Sequence, residues 1–403
     1  MSTPTRAADT YSPLYFLASL GAGGLSVSFF MYLFFWVPHP GVPVPTFEHI
    51  WAAFTTGSTL QQAAIVIAWI GIAFFVVLNL KYLIWNLRAF SAFSKTETFE
   101  KLRNSNAETT ILAMPLALAM AVNGMFVAGL AFVPQLWSIV EYLFPLAMIA
   151  FLLIGIQALR YIGDFLGRVL TKGGVFDVTA HNSFAQLLPA FALSMVAVGF
   201  AAPAAMSHNV VTAGIALIVS TFFGFAAILY TVVAAITAFN SMLHHGTAKE
   251  SGPTLMIVVP IMTVLGIMFL RQSHGMHVTF DAHGAPVETL VFLSRLLTVQ
   301  LVFLGLGLLV LRRQGYWDDF VFGSKTSPGS YALVCPGVAL SVMLHFWLNK
   351  GLVASGIVDK YSLAYILVSA IAVGLQFAMI ALVLRLNKQH FGRTPTAVAV
   401  PAE

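Results

Sequence analysis

The chain has 403 residues, of which 59% are hydrophobic and only 9% charged, and its mean hydropathy is +0.88. A soluble domain of ordinary composition has about a quarter of its residues charged, so this balance excludes a water-soluble globular fold and points to a polytopic membrane protein. The single cysteine, Cys335, excludes an internal disulfide framework and a cysteine-rich metal site; the net charge of +5 is scattered through short loops rather than gathered on one face, which argues against nucleic acid as a partner.

Ten segments reach the length of about 20 residues that a spanning helix needs. In chain order they are 13–36, 59–88, 109–133, 137–161, 184–206, 209–240, 254–272, 287–311, 331–349 and 361–386. The first is too long for a signal-peptide core, and "WVPHPGVPVP" follows it without a small-residue cleavage site, so it is expected to remain in the mature protein. The expected organisation is a cytoplasmic tail at 1–10, one ten-helix transmembrane domain at 11–390 and a disordered cytoplasmic tail at 391–403.

Lysine and arginine set the expected orientation. Arg6, Arg88, Lys95, Lys101, Arg103, Arg160, Arg168, Lys172, Lys249, Arg312, Arg313, Lys325, Arg385, Lys388 and Arg393 fall on one side of this topology, and Lys81 can snorkel toward it. Arg271, Lys350 and Lys360 fall on the other, and Arg295 lies inside a span. The positive-inside rule then places both termini in the cytoplasm of a bacterial-type inner membrane.

The links between spans 3 and 4 ("VPQ") and between spans 5 and 6 ("SHN") are tiny, whereas cytoplasmic links such as "RRQGYWDDFVFGSKTSPGS" are long and charged. This predicts five antiparallel hairpins. From their prolines, the odd spans read "SPLYFLASLGAGG", "MPLALAMAVNGM", "LPAFALSMVAVG", "VPIMTVLGIMF" and "CPGVALSVMLHF". Pro13, Pro115, Pro189, Pro260 and Pro336 thus stand near the cytoplasmic start of each odd span, where proline bends a helix or occupies its first turn. The even spans are read as free of interior proline. The fold expected is an all-α membrane protein in which an inner ring of five proline-containing helices is surrounded by five outer helices.

With ten spans, cytoplasmic termini and proline-led inner helices, the chain resembles the tellurite-resistance/dicarboxylate transporter family, which includes bacterial TehA and the plant slow-type anion channels. More narrowly, it is similar to the TsoY group of ten-span proteins, which includes selenoproteins. The resemblance covers roughly residues 10–390 and implies a central pore for anions or weak-acid anions, commonly in a trimer. That family closes its pore with a mid-membrane phenylalanine on the ninth helix. Here Leu340, Ser341 and Val342 occupy that depth and the first phenylalanine is Phe346, so Phe16 or Phe191 is the expected plug.

Beyond their prolines the odd spans carry no Asp or Glu, and no Lys or Arg until Arg271. An anion conduit needs hydroxyl and amide donors without carboxylates. Ser19, Asn123, Ser194, Thr263 and Ser341 are candidate pore-lining donors, with helix–helix bonding as the competing role. His345 is either a satisfied interior histidine or a titrating pore group. Arg295 is expected either to form an ion pair with Glu288 or Glu141, or to attract anions at an outer vestibule. Arg160 and Asp164 have the i,i+4 spacing of a helix-end pair. "GAGG" at 21–24 lacks a following Lys-Ser/Thr and reads as close helix packing rather than a phosphate loop.

Haem is not expected, and the loop group His274, His277, Asp281 and His283 is read as solvated rather than metal-binding. No catalytic constellation and no cofactor are expected. Cys335 has three readings: inert packing, redox chemistry with an external thiol, or ligand contact at the pore mouth. The functional expectation is a channel or transporter for a small anion, with two alternatives: a redox-linked membrane protein handling sulfur or selenium, and a non-conducting scaffold subunit.

Overall fold

A computed structural model describes residues 8–172, 176–177, 179–180, 182–280 and 285–392. Among these residues all regular structure is helical. Ten helical stretches are long and apolar enough to cross a membrane: Pro13–Trp36, Thr59–Phe93, Asn106–Phe132, Leu136–Lys172, Phe184–Met206, Val210–His245, Lys249–Thr279, Pro286–Arg313, Pro328–Val353 and Leu363–Phe391. They are referred to below as spans 1 to 10, and they support a multi-pass integral membrane protein. Span 4 runs on to Lys172, well past the apolar stretch expected at 137–161. Its extension carries Asp164, Arg168 and Lys172, which follow Arg160 at helical spacing but not hydropathy.

Burial alternates along the chain. The most apolar windows of spans 1, 3, 5, 7 and 9 are 83%, 61%, 94%, 78% and 78% buried; those of the even spans are only 22% to 39% buried. The even spans turn large apolar side chains outward, including Ile70 and Val77, Leu146 and Leu153, Ile218 and Leu229. In water such a surface would aggregate; in lipid it meets its own kind. Each odd span packs on the even span that follows it. Span 1 also touches spans 3 and 9, span 5 touches spans 3 and 7, and span 7 touches span 9.

Small residues allow these approaches. A methyl group added at Gly21 would stand 3.0 Å from Val334, and one at Gly24 would stand 3.1 Å from Val338, so "GAGG" is the seam between spans 1 and 9. Gly71 faces the Phe29 ring across spans 1 and 2 with no room for a side chain.

Each odd span begins with a 3₁₀ segment: Pro13–Tyr15, Asn106–Leu112, Phe184–Leu187, Lys249–Met256 and Pro328–Leu333. Four are capped by serine hydroxyls, Ser12, Ser105, Ser183 and Ser327, which accept from the amides of Leu14, Ala107, Ala185 and Gly329. Pro115, Pro189, Pro260 and Pro336 fall in the first α-helical turn that follows, and Pro13 opens its own 3₁₀ turn. Of the two roles open to these prolines, occupying a first helical turn is the one seen. These prolines mark the changeover from 3₁₀ to α bonding, where a missing N–H costs least. Proline is not exclusive to the odd spans either, since Pro145 lies inside span 4.

At the face carrying the termini, buried Glu108 accepts from Arg103 Nε at 3.3 Å and from Arg168, while Arg103 Nη2 reaches Asp164 at 3.1 Å. The Arg160–Asp164 pair expected from spacing is replaced by this cross-helix contact, which ties the entrance of span 3 to the end of span 4. The tail readings at 1–10 and 391–403 fall largely outside the described residues.

An added methyl at Gly71 is expected to cost about 1–3 kcal/mol through overpacking against Phe29. Thermal unfolding of purified Gly71→Ala should show a midpoint several degrees lower. Gly163→Ala, whose methyl meets nothing within 4 Å in an exposed helical stretch, should not lower the midpoint, since alanine favours the helix.

Candidate functional site: a cavity between the odd spans

A cavity of about 880 Å³ lies between spans 1, 3, 5, 7 and 9, with parts of its wall from spans 4 (Phe144, Phe151) and 8 (Glu288, Phe292), and reaches the surface on the face opposite the termini. Phe34, His274, His277, Pro286 and Lys350 stand around its open part. At the deep end, Phe191, Pro260 and Cys335 border both this cavity and a void of only about 10 Å³ beyond it. Leu17, Leu188, Ile257 and Ala332 fill the space around that void. The cavity is thus open at one face and stopped by packed side chains toward the other.

Three of the expected lining residues border the cavity: Asn123, Phe191 and Thr263. The polar two have their hydrogens engaged. Asn123 Nδ2 donates to the Ala119 carbonyl at 3.2 Å and contacts Met195 Sδ at 3.6 Å. Thr263 Oγ1 donates to the Ala339 carbonyl at 2.9 Å and accepts from Gln300 Nε2 at 2.6 Å.

The other five lie elsewhere. Phe16 is fully buried against Phe90. Ser19 donates to the Asn79 carbonyl at 2.9 Å, and Asn79 Nδ2 returns a bond to the Ser19 carbonyl at 2.7 Å. Ser194 donates to the Phe191 carbonyl at 2.8 Å, and Ser341 to that of Ala372 at 2.7 Å. His345 is enclosed by the rings of Tyr32, Phe35 and Trp36. Each of these hydroxyls satisfies itself on backbone, the competing role that the sequence left open.

Arg295 is exposed on span 8, with neither an ion pair nor a place in the cavity among the described residues. Its expected partners are engaged differently. Glu141 accepts from Ser207 Oγ and from the amide of His208, both at 2.7 Å, and so caps the short link between spans 5 and 6. Glu288 borders the cavity.

The cations that do face the cavity are Arg271 and Lys350. Arg271 Nη1 donates to the Val198 carbonyl at 3.0 Å, and Lys350 Nζ stands 5.9 Å from the Phe34 ring centre. Among the described residues neither has a carboxylate within salt-bridge reach. The sequence held a signal for both, since they are the only Lys or Arg on the odd spans beyond the prolines. Charge counting had assigned them to topology alone. Span 9 changes to π-helical bonding over Trp347–Val353, which carries Lys350. Such turns re-aim side chains and are frequent at functional sites.

Among the described residues no group of three metal-ligating side chains forms. His274 and His277 border the cavity, while Asp281 and His283 lie outside the described residues. Cys335 is partly accessible at the cavity floor and is the only thiol in the chain. No protein-family model matches the sequence, nor does any curated protein.

His39 follows span 1 and packs on Phe34 at the cavity entrance, with Nδ1 2.8 Å from the Val37 carbonyl. Burial pushes it below its ordinary value of 6.5; the Val37 contact opposes this, and the neighbouring His49, Lys350 and Lys360 add to the lowering. The folded protein binds this proton less readily than the unfolded chain does. His39 therefore contributes stability that is fully present above 6.5 and is lost as pH falls through the lowered folded value. Thermal midpoints measured from about pH 7 down to about pH 5 should fall, with a shallower slope in His39→Gln.

Proposed function

We propose that the protein is an integral membrane channel or transporter for an anion, with the odd spans as an inner ring around the conduit and the even spans as its lipid-facing wall. The order of contacts among the odd spans and their consistent burial support the ring. One observation carries the functional reading. The two basic residues on the odd spans beyond the prolines both border the cavity, and those same stretches hold no acidic residue. A half-buried arginine within a span is expensive to keep and is retained where it serves an ion or substrate pathway, while Lys350 is exposed near the outer end of span 9.

Phe191 is the gate in this reading, because it separates the open cavity from the packed layer beyond. The proposal includes cytoplasmic termini, on the asymmetry of lysine and arginine, and kinship with the TehA-like anion channels, with trimeric association as that kinship implies. It assigns no redox step to Cys335, which has no second thiol in the chain.

Anion flux from liposomes containing the reconstituted protein tests the proposal, with chloride, nitrate, sulfite and dicarboxylates as cargo. Arg271→Gln is expected to lower flux at least tenfold, with Arg271→Lys retaining most of it. Phe191→Ala should raise flux. Ser194→Ala and Ser341→Ala should change it less than twofold, because their hydroxyls are bonded to backbone. Absence of flux above empty liposomes for every anion, with Phe191→Ala equally silent, would overturn the proposal.

A further inference from the structure

The cavity has two chemically different ends. Arg271, Lys350, His274 and His277 stand in its open part, against one carboxylate among the described residues, that of Glu288. The deeper wall is made of Leu20, Val27, Met195, Ile267, Val338 and Val342. The polar side chains bordering that wall are Asn123 and Thr263, whose hydrogens are engaged by protein acceptors. Ser19 and Ser341 bond other helices, and Ser194 bonds the Phe191 carbonyl of its own. An inorganic anion moving inward from Arg271 would therefore shed water without gaining a donor, which is strongly unfavourable. An apolar body would gain from the same wall.

The dimensions agree with this asymmetry. From Pro260 at the floor to Arg271 is eleven residues, about 16 Å along a helix. The total volume of about 880 Å³ lies in the range of sites for drug-sized organic molecules, which are typically apolar with a few placed polar groups.

Resting on the anion reading above, we infer that the cargo is an amphiphilic organic anion. Its carboxylate or sulfonate is held by Arg271 and Lys350, and its alkyl or aryl body lies along the wall toward Cys335. Chloride and nitrate are poor ligands of this site. The Arg271 guanidinium supplies N–H donors in a planar fork suited to either head group, and its bond to the Val198 carbonyl fixes it at the boundary between the two ends.

The test is equilibrium binding to the full-length protein in lipid nanodiscs, measured by titration calorimetry with empty discs subtracted. The probes are methane-, butane-, hexane- and octanesulfonate, sodium chloride and 1-octanol. Saturable binding of octanesulfonate is expected, tightening about fourfold per methylene across the series, as burial of each CH₂ implies. Arg271→Gln should weaken octanesulfonate at least tenfold and leave 1-octanol unchanged, which also shows that the cavity is intact; Arg271→Lys should recover most of the loss.

Should Arg271→Gln lose both ligands, the wild-type chain-length series and the octanol comparison decide the matter. Chloride or methanesulfonate binding as tightly as octanesulfonate, octanol matching octanesulfonate in the wild type, or no saturable binding would overturn the inference. Chloride flux without octanesulfonate binding would sink this inference and leave the transport proposal standing. Octanesulfonate binding without flux of any anion would do the reverse.

Discussion

In hydrocarbon no water is available to satisfy a hydroxyl, an amide or a free backbone group, so a partner within the protein is strongly favoured. That constraint organises the structure. Ser19 and Asn79 bond each other's carbonyls across spans 1 and 2, Ser341 bonds span 10, and Thr263 bonds span 9 while accepting from Gln300 on span 8. Ser220 donates to the Ala197 carbonyl on span 5 and accepts from Gln272 on span 7. These contacts join helices that apolar packing alone would leave free to slide, and they consume the donors that could otherwise have solvated an ion.

The cavity chemistry follows from that consumption. Once the small polar residues are spent on backbone carbonyls, the space between the odd spans keeps an apolar wall, and its charged side chains are Arg271, Lys350 and Glu288 among the described residues. Close approach reinforces the effect: Gly21 and Gly24 bring span 1 against Val334 and Val338, so the seam is tight and the free volume gathers in the middle and toward one face. The 3₁₀ segments with their serine caps contact one another at the other face, next to the packed floor. Shape and polarity thus share one origin, the need to settle hydrogen bonds inside each helix pair before any are left for a ligand.

Much of the fold was legible because hydropathy and helix length are local properties. Ten spans and the short 3–4 and 5–6 links can be read from the chain alone, and the alternation of proline-led and longer segments anticipates which helices are buried. The extent of span 4 was not legible, because its last turns are polar and held by Arg103, Arg168, Glu108 and Asp164 rather than by lipid. The prolines were visible, but the 3₁₀ turns before them were not. Serine caps such as Ser105 and Ser183 are the local signal for those turns.

Composition by itself determined that the chain crosses a membrane many times, because a charge content this low cannot be kept soluble, and periodic prolines with small residues marked the helices that pack inward. Only the tertiary structure decided which polar side chains face the central space. Asn123 and Ser194 look alike on their helices; a difference of rotation about the axis places one beside the cavity and turns the other back onto its own backbone. Likewise Arg271, which in sequence is one more charge at the end of a span, becomes a cation of the cavity through the packing of span 7 against span 5. Rotation and register are set by contacts between distant segments, and no local pattern encodes them.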